Sequence, residues 1–132
     1  MIDVMDTEAA ARGWVEGWTR GWTGHDAAPI AALYAADAVF VSQPFRAPAD
    51  PRAYAEWAFT EEDEVECRFG DPRVSGDTAV VEYWAWIRFE GREQTLGGVA
   101  LLRFDGDGKV TEQRDYWAME DGRIDPPAGW GS

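Results

Sequence analysis

"GWVEGWTRGWTG", residues 13–24, places three Gly-Trp pairs four residues apart, with tryptophan at 14, 18 and 22. Two readings compete for it. Trp-rich repeats that bind carbohydrate separate their aromatics by strands and turns. Spacing by fours, with no turn residue other than glycine, instead puts the three indoles on one side of a helix. Ala11 and Val15 join that stripe, while Glu16 and Arg20 lie opposite, four apart in the favourable order. The glycines at 13, 17 and 21 make a second row. Each costs about 1 kcal/mol against alanine, so the row predicts close approach of another backbone. The spacing predicts one helix over residues 8–23, capped by Thr7 and ended by Gly24, with a buried tryptophan edge that can also wall a cavity.

Downstream, Asp26 is the expected cap of a second helix, with Pro29 in its first turn, an apolar side at Ile30, Leu33 and Tyr34, and an end near Asp37. "AVFVSQPF", 38–45, alternates as a strand. Asp50 followed by Pro51 opens a third helix through Tyr54, Trp57 and Ala58. "EEDE", 61–64, reads as a solvated turn, since four acids oppose the negative end of a helix dipole. From there the period is two. "VECRFG", "TAVVEYWAWIRF", "TLGGVALLRF" and "VTEQRDYW" are strands, joined in part by hairpin turns at "EGRE" and "DGDGK".

Helices first and then an antiparallel meander predict an α+β fold, three N-terminal helices on one face of a curved, mainly antiparallel sheet. Residues 1–132 are expected to form a single domain, with 1–6 and 120–132 loosely structured. The central strands are apolar on both faces, with Tyr83, Ala85 and Ile87 on one and Trp84 and Trp86 on the other. The face the helices leave open is expected to meet a second copy of the chain, a homodimer through the sheet, with Val99 and Leu101 extending the patch. The alternative cover is the C-terminal tail.

Composition narrows the function classes. A net charge of −13, from 12 basic and 25 acidic residues, repels phosphate backbones and anionic membranes, so neither nucleic acid nor membrane is expected as a partner. No apolar run reaches the roughly 18 residues a membrane span needs. The acidic start "MIDVMDTE" carries no signal-peptide pattern, so a cytoplasmic location is expected. One cysteine and one histidine without ligand spacing give no metal site and no nucleophile–histidine arrangement. His25 reads as a surface turn residue, with a place at a pocket mouth as the alternative. No glycine-rich phosphate loop appears, and Gly97 and Gly98, in mid-strand, mark bending or room for a ligand. No cofactor is expected.

Three stretches, "HDAAPIAALYAADAVFVSQPFR", "GDTAVVEYWAWI" and "GDGKVTEQRDYW", resemble the nuclear transport factor 2-like superfamily and within it the SnoaL-like group. That superfamily includes ketosteroid isomerases, polyketide cyclases, limonene-epoxide hydrolases, dehydratases and non-catalytic carriers. The resemblance implies a cone-shaped cavity between helices and sheet. "RDYW", 114–117, is similar to the "RDYF" of limonene-epoxide hydrolases, whose aspartate helps to activate water; it falls on Asp115. The family's water-holding tyrosine and asparagine fall at Phe40 and Ser42, and its arginine and second aspartate at about Tyr83 and Ala85, so its acid is not carried over. If Asp115 faces the cavity, alternation brings Gln113 and Trp117 with it and turns Arg114 and Tyr116 outward.

The resemblance implies a cavity lined by Phe40, Tyr83, Ile87, Leu96, Gly98 and Trp117, with Trp14, Trp18 and Trp57 from the helices. Tyr34 and Tyr83 would offer phenols, and Gln113 and Ser42 hydrogen bonds. Asp115 is the candidate acid/base, its pKa raised by aromatic walls; its other reading is a buried partner for a backbone amide or an arginine. A second buried acid is not expected. Three classes remain: a cofactor-free enzyme of isomerase, cyclase or hydratase type acting on a small apolar or aromatic molecule, a ligand-binding module, and a dimerisation scaffold.

Overall fold

The computed structural model describes residues 2–132. Helix α1 spans Val4–Gly24, earlier at its start than the tryptophan spacing alone requires. Asp3 is the cap, its Oδ1 accepting from the Asp6 amide at 2.9 Å. Thr7 therefore lies inside the helix, fully buried, with its hydroxyl 2.8 Å from the carbonyl of Gly76. At the other end Gly24 is still helical. His25 takes the left-handed conformation (φ 50°), and its amide bonds to the carbonyls of Gly21 and Trp22.

Trp14, Trp18 and Trp22 are all buried along one stripe, as their spacing predicts. The glycine row is used unevenly. A Cβ on Gly21 would lie 2.6 Å from the Ile30 side chain and 2.7 Å from the Asp26 carbonyl, and one on Gly17 2.9 Å from Leu33. At Gly13 it would meet nothing, so the expected close approach of another backbone is found at Gly21, is replaced by a side chain at Gly17 and fails at Gly13.

Helix α2 is a short turn, Ala28–Ala31, rather than a helix to Asp37. The chain turns to strand because Tyr34 and Phe40 pair in parallel with Val110 and Gln113, and the Val110 amide bonds to the Leu33 carbonyl at 2.9 Å. Strand β1 is thus Tyr34–Val41. Helix α3, Pro51–Phe59, begins at Asp50, whose carboxylate accepts from the Ala53 amide. There follow β2 (Glu64–Phe69), β3 (Arg73–Ser75), β4 (Thr78–Phe89), β5 (Arg92–Phe104) and β6 (Val110–Asp121).

The sheet order is β1-β6-β5-β4-β2, with β3 also on β4. Only β1–β6 is parallel. The three helices pack on the face that carries Tyr83, Ala85 and Ile87, and the core of Trp14, Trp18, Phe40, Val81, Ala100 and Leu102 lies between. Among the described residues no helix is long and apolar enough to cross a membrane.

Residues 2–6 and 120–132, expected to be loose, make specific contacts, and Met1 lies outside the described residues. β6 runs to Asp121, and the segment beyond crosses the other face of the sheet. The indoles of Trp84 and Trp86 both donate to the Ile124 carbonyl at 2.9 Å, and Thr95 bonds to both Gly122 and Ile124. Trp130 stands edge-on to Trp84, and Arg123 lies 4.3 Å over the Trp86 ring. Trp84 and Trp86 are therefore covered by the tail and do not form the open patch that alternation suggested.

Candidate functional site

β6 is what aims the site. Its register on β5 sets Asp115 opposite Ala100 and Trp117 opposite Gly98, and alternation turns Gln113, Asp115 and Trp117 to the helix side. Arg114 points away and pairs with Glu112 at 3.0 Å. Gly98 does not line the cavity. It gives room, since a Cβ there would lie 2.5 Å from the Cβ of Trp117.

Asp115 is held from two sides. Tyr83 Oη donates to its Oδ2 at 3.1 Å, and Gln113 Nε2 donates to its Oδ1 at 2.9 Å. Gln113 is itself fixed, because its Oε1 accepts from the Trp14 indole at 3.0 Å and from the Tyr34 hydroxyl. The Trp18 indole in turn donates to Tyr34 Oη at 2.9 Å. A carboxyl enclosed by rings loses hydration, and that burial raises Asp115 from 3.8 to about 7, against the opposing pull of its two donors. Tyr83 is pushed well above the usual phenol value, first by burial and then by the neighbouring Asp115, so it stays a donor.

The cavity has a volume of about 70 Å3 and is walled by Trp14, Trp18, Trp22, Tyr54, Ala58, Phe59, Glu62, Phe69, Tyr83, Leu96, Gln113, Asp115 and Trp117. Of the residues expected there, Trp14, Trp18, Tyr83, Leu96, Gln113, Trp117 and Asp115 are brought together. The others are not. Tyr34 sits behind Gln113, and Phe40 is fully buried against Trp18 and Tyr54. Ile87 is in the core. Ser42 turns its hydroxyl to Arg46 and accepts from the Trp117 indole through its carbonyl. Trp57 is half-exposed, because Tyr54 and Ala58, four apart, form the inward face of α3.

Glu62 is the residue sequence reasoning missed. It lies in the acidic run after α3, yet both its oxygens accept from the Trp22 indole, at 3.0 and 3.2 Å. Burial raises it from 4.5 to about 7, with the indole pulling the other way. Trp22, Tyr54, Ala58 and Phe69 were legible only as apolar stripes, and Phe59 carried no signal of its own. Among the described residues no group of three or more His, Cys, Asp or Glu side chains is placed to hold a metal ion.

The sequence pattern of the SnoaL-like domain matches residues 15–113. The chain belongs to the SnoaL-like domain family. No curated protein matches it in sequence. Solved structures share the fold of this SnoaL-like chain. The epoxide hydrolase/cyclase-like enzyme SalBIII, described in pyran ring formation in the polyether salinomycin, superposes with a TM-score of 0.74 at 17% identity, covering 89% of this chain and 100% of its own. A hypothetical protein of ketosteroid isomerase-like fold from Catenulispora acidiphila, in complex with trimethylamine, gives 0.68 at 21%, covering 77% and 82%. A limonene-epoxide-hydrolase-like enzyme from M. tuberculosis gives 0.66 at 16%, covering 87% and 84%.

Proposed function

We propose that this SnoaL-like protein is a cofactor-free acid/base catalyst of isomerase, cyclase or hydratase type, acting on a small, largely apolar molecule, with Asp115 as the group that takes and returns the proton. One observation carries the reading: a carboxyl with a pKa of about 7 stands in an aromatic cavity and has no cationic partner. A base is most useful when its pKa lies near the working pH. Gln113 and Tyr83 fix its two oxygens, so the proton is moved at a defined place. The epoxide hydrolase/cyclase-like neighbours support chemistry on small molecules in this fold. Epoxide opening itself is not part of the proposal, because Tyr83 and Ala85 stand where the arginine and second aspartate of that set would fall.

The second reading is a ligand-binding module, favoured by the size of the cavity. About 70 Å3 is well below the roughly 300–1,000 Å3 of drug-sized sites. The trimethylamine held by the Catenulispora acidiphila protein is an occupant of modest size. We further propose that the protein acts as a homodimer through the part of the sheet the tail leaves open.

The deciding experiment incubates the protein in deuterium oxide with a panel of small ketones and unsaturated ketones. Mass spectrometry then follows proton exchange next to the carbonyl. Exchange that is lost in Asp115→Asn supports the catalyst. Ligand-induced thermal shifts without exchange support the binding module instead.

A further inference from the structure

The cavity contains two carboxyls where the proposed chemistry uses one. Glu62 and Asp115 both line it, and none of its lining residues is lysine, arginine or histidine. A purely apolar occupant would leave the part-buried Glu62 carboxyl with the Trp22 indole as its hydrogen-bond partner and no opposite charge in the cavity, although desolvating a carboxylate is unfavourable. Most of the rest of the wall is aromatic, with Ala58, Leu96 and Gln113 the exceptions. Trp14, Trp18 and Trp22 follow one another with centroids 6.3 Å apart and planes at 47° and 82°. Trp22 stands at 74° to Tyr83, 6.2 Å away. Such steep angles turn ring faces in several directions, and ring faces attract cations.

We infer that the cavity selects a small alkylated ammonium, its methyl groups against the tryptophan and tyrosine rings and its charge offset by Glu62 and Asp115. This rests on the cavity's being a small-molecule site, and it names the ligand class. The net charge of −13 draws cations toward the molecule. Two bases touch wall rings without lining the cavity: Arg46 lies 5.3 Å over the Trp117 ring, and His25 stacks on Phe59 at 5.1 Å. Glu62 faces the Trp22 indole and Cys67; Asp115 faces Tyr34, Tyr54, Tyr83 and Gln113. Both acids ionise near pH 7. A permanent cation should therefore bind more tightly as pH rises through that value.

Tetramethylammonium and tert-butanol, a neutral molecule of similar size, are the probes. Tryptophan quenching and calorimetry read their binding at about pH 6 and about pH 8. The cation is expected to bind roughly tenfold or more tightly than the alcohol at the higher pH, and several-fold less tightly at the lower. Glu62→Gln, which keeps an acceptor for Trp22, is expected to weaken the cation and leave the alcohol unchanged. Equal or tighter binding of the alcohol overturns the inference. So does a cation affinity that neither pH nor Glu62→Gln alters, or no cation binding at all. Proton exchange that depends on Asp115, with the cation preference absent, would overturn the ligand class alone. Cation binding without exchange would overturn the catalyst and leave the ligand class standing.

Discussion

Asp115 and Glu62 are carboxyls that folding makes harder to ionise, so each opposes stability at neutral pH. Their folded values of about 7 lie above ordinary values of 3.8 and 4.5. Between about pH 4 and pH 7 the folded state therefore binds more protons than the unfolded one. Stability falls as pH rises through that window and is level above it. Asp115→Asn removes one of these contributions. Urea unfolding should find it more stable than the parent by on the order of 2 kcal/mol at about pH 8, with a shallower slope below pH 7. Equal slopes in parent and variant would sink the assignment. Gln113→Leu should do the reverse, leaving the Trp14 and Tyr34 donors without their acceptor at about 1–3 kcal/mol each. It should also move Asp115 higher still, and a carbon-13 NMR titration reads that shift. The direction of Asp115 was legible because a strand has a period of two and "EQRDYW" has few polar residues to place. Glu62 was not, because its burial is set by Trp22, forty residues away, while its own neighbours are acids that read as solvated.

Helix α1 shows how far local pattern reaches. Spacing by fours settled that Trp14, Trp18 and Trp22 share a buried edge, and Trp18→Ala should cost about 3–5 kcal/mol in a chemical melt. The glycine row looked uniform in sequence, but tertiary contact divides it. Gly13→Ala, into open space, should stabilise by about 1 kcal/mol through helix propensity alone. Gly21→Ala should destabilise despite that same gain, because its methyl would meet the Asp26 carbonyl at 2.7 Å, and backbone does not yield cheaply. Thermal melts that rank the two variants the other way would refute this packing. Where the reading of elements slipped, a long-range partner decided the outcome. "PIAALYAAD" has the composition of a helix, yet parallel pairing with β6 draws it into β1 from Tyr34 onward. The start of α1 differs for a nearer reason, since Asp3, a cap residue as good as Thr7, takes the N-cap and adds a turn.

The outer face of the sheet is where a feature of the whole molecule overrules the strand pattern. Alternation put Trp84 and Trp86 outward correctly, but it carried no information about where the last ten residues fold. They lie across the β2–β4 side, and they leave Val39, Leu101 and Tyr116 of the β1–β6–β5 side substantially exposed. Arg103, Glu112 and Arg114 share that side, offering both signs of charge to a copy of themselves. The homodimer proposed above therefore belongs on this half of the sheet, centred on Leu101 and Tyr116 and not on the tryptophans. Each copy carries a net charge of −13, so association works against repulsion and should strengthen as salt screens it. Sedimentation at about 10 µM protein should find a dimer in roughly 0.5 M salt. The double variant Leu101→Arg with Tyr116→Arg should sediment as a monomer while keeping its tryptophan fluorescence. A parent chain that stays monomeric at that salt, or a double variant that still dimerises, would leave the sheet's open half without the partner assigned to it.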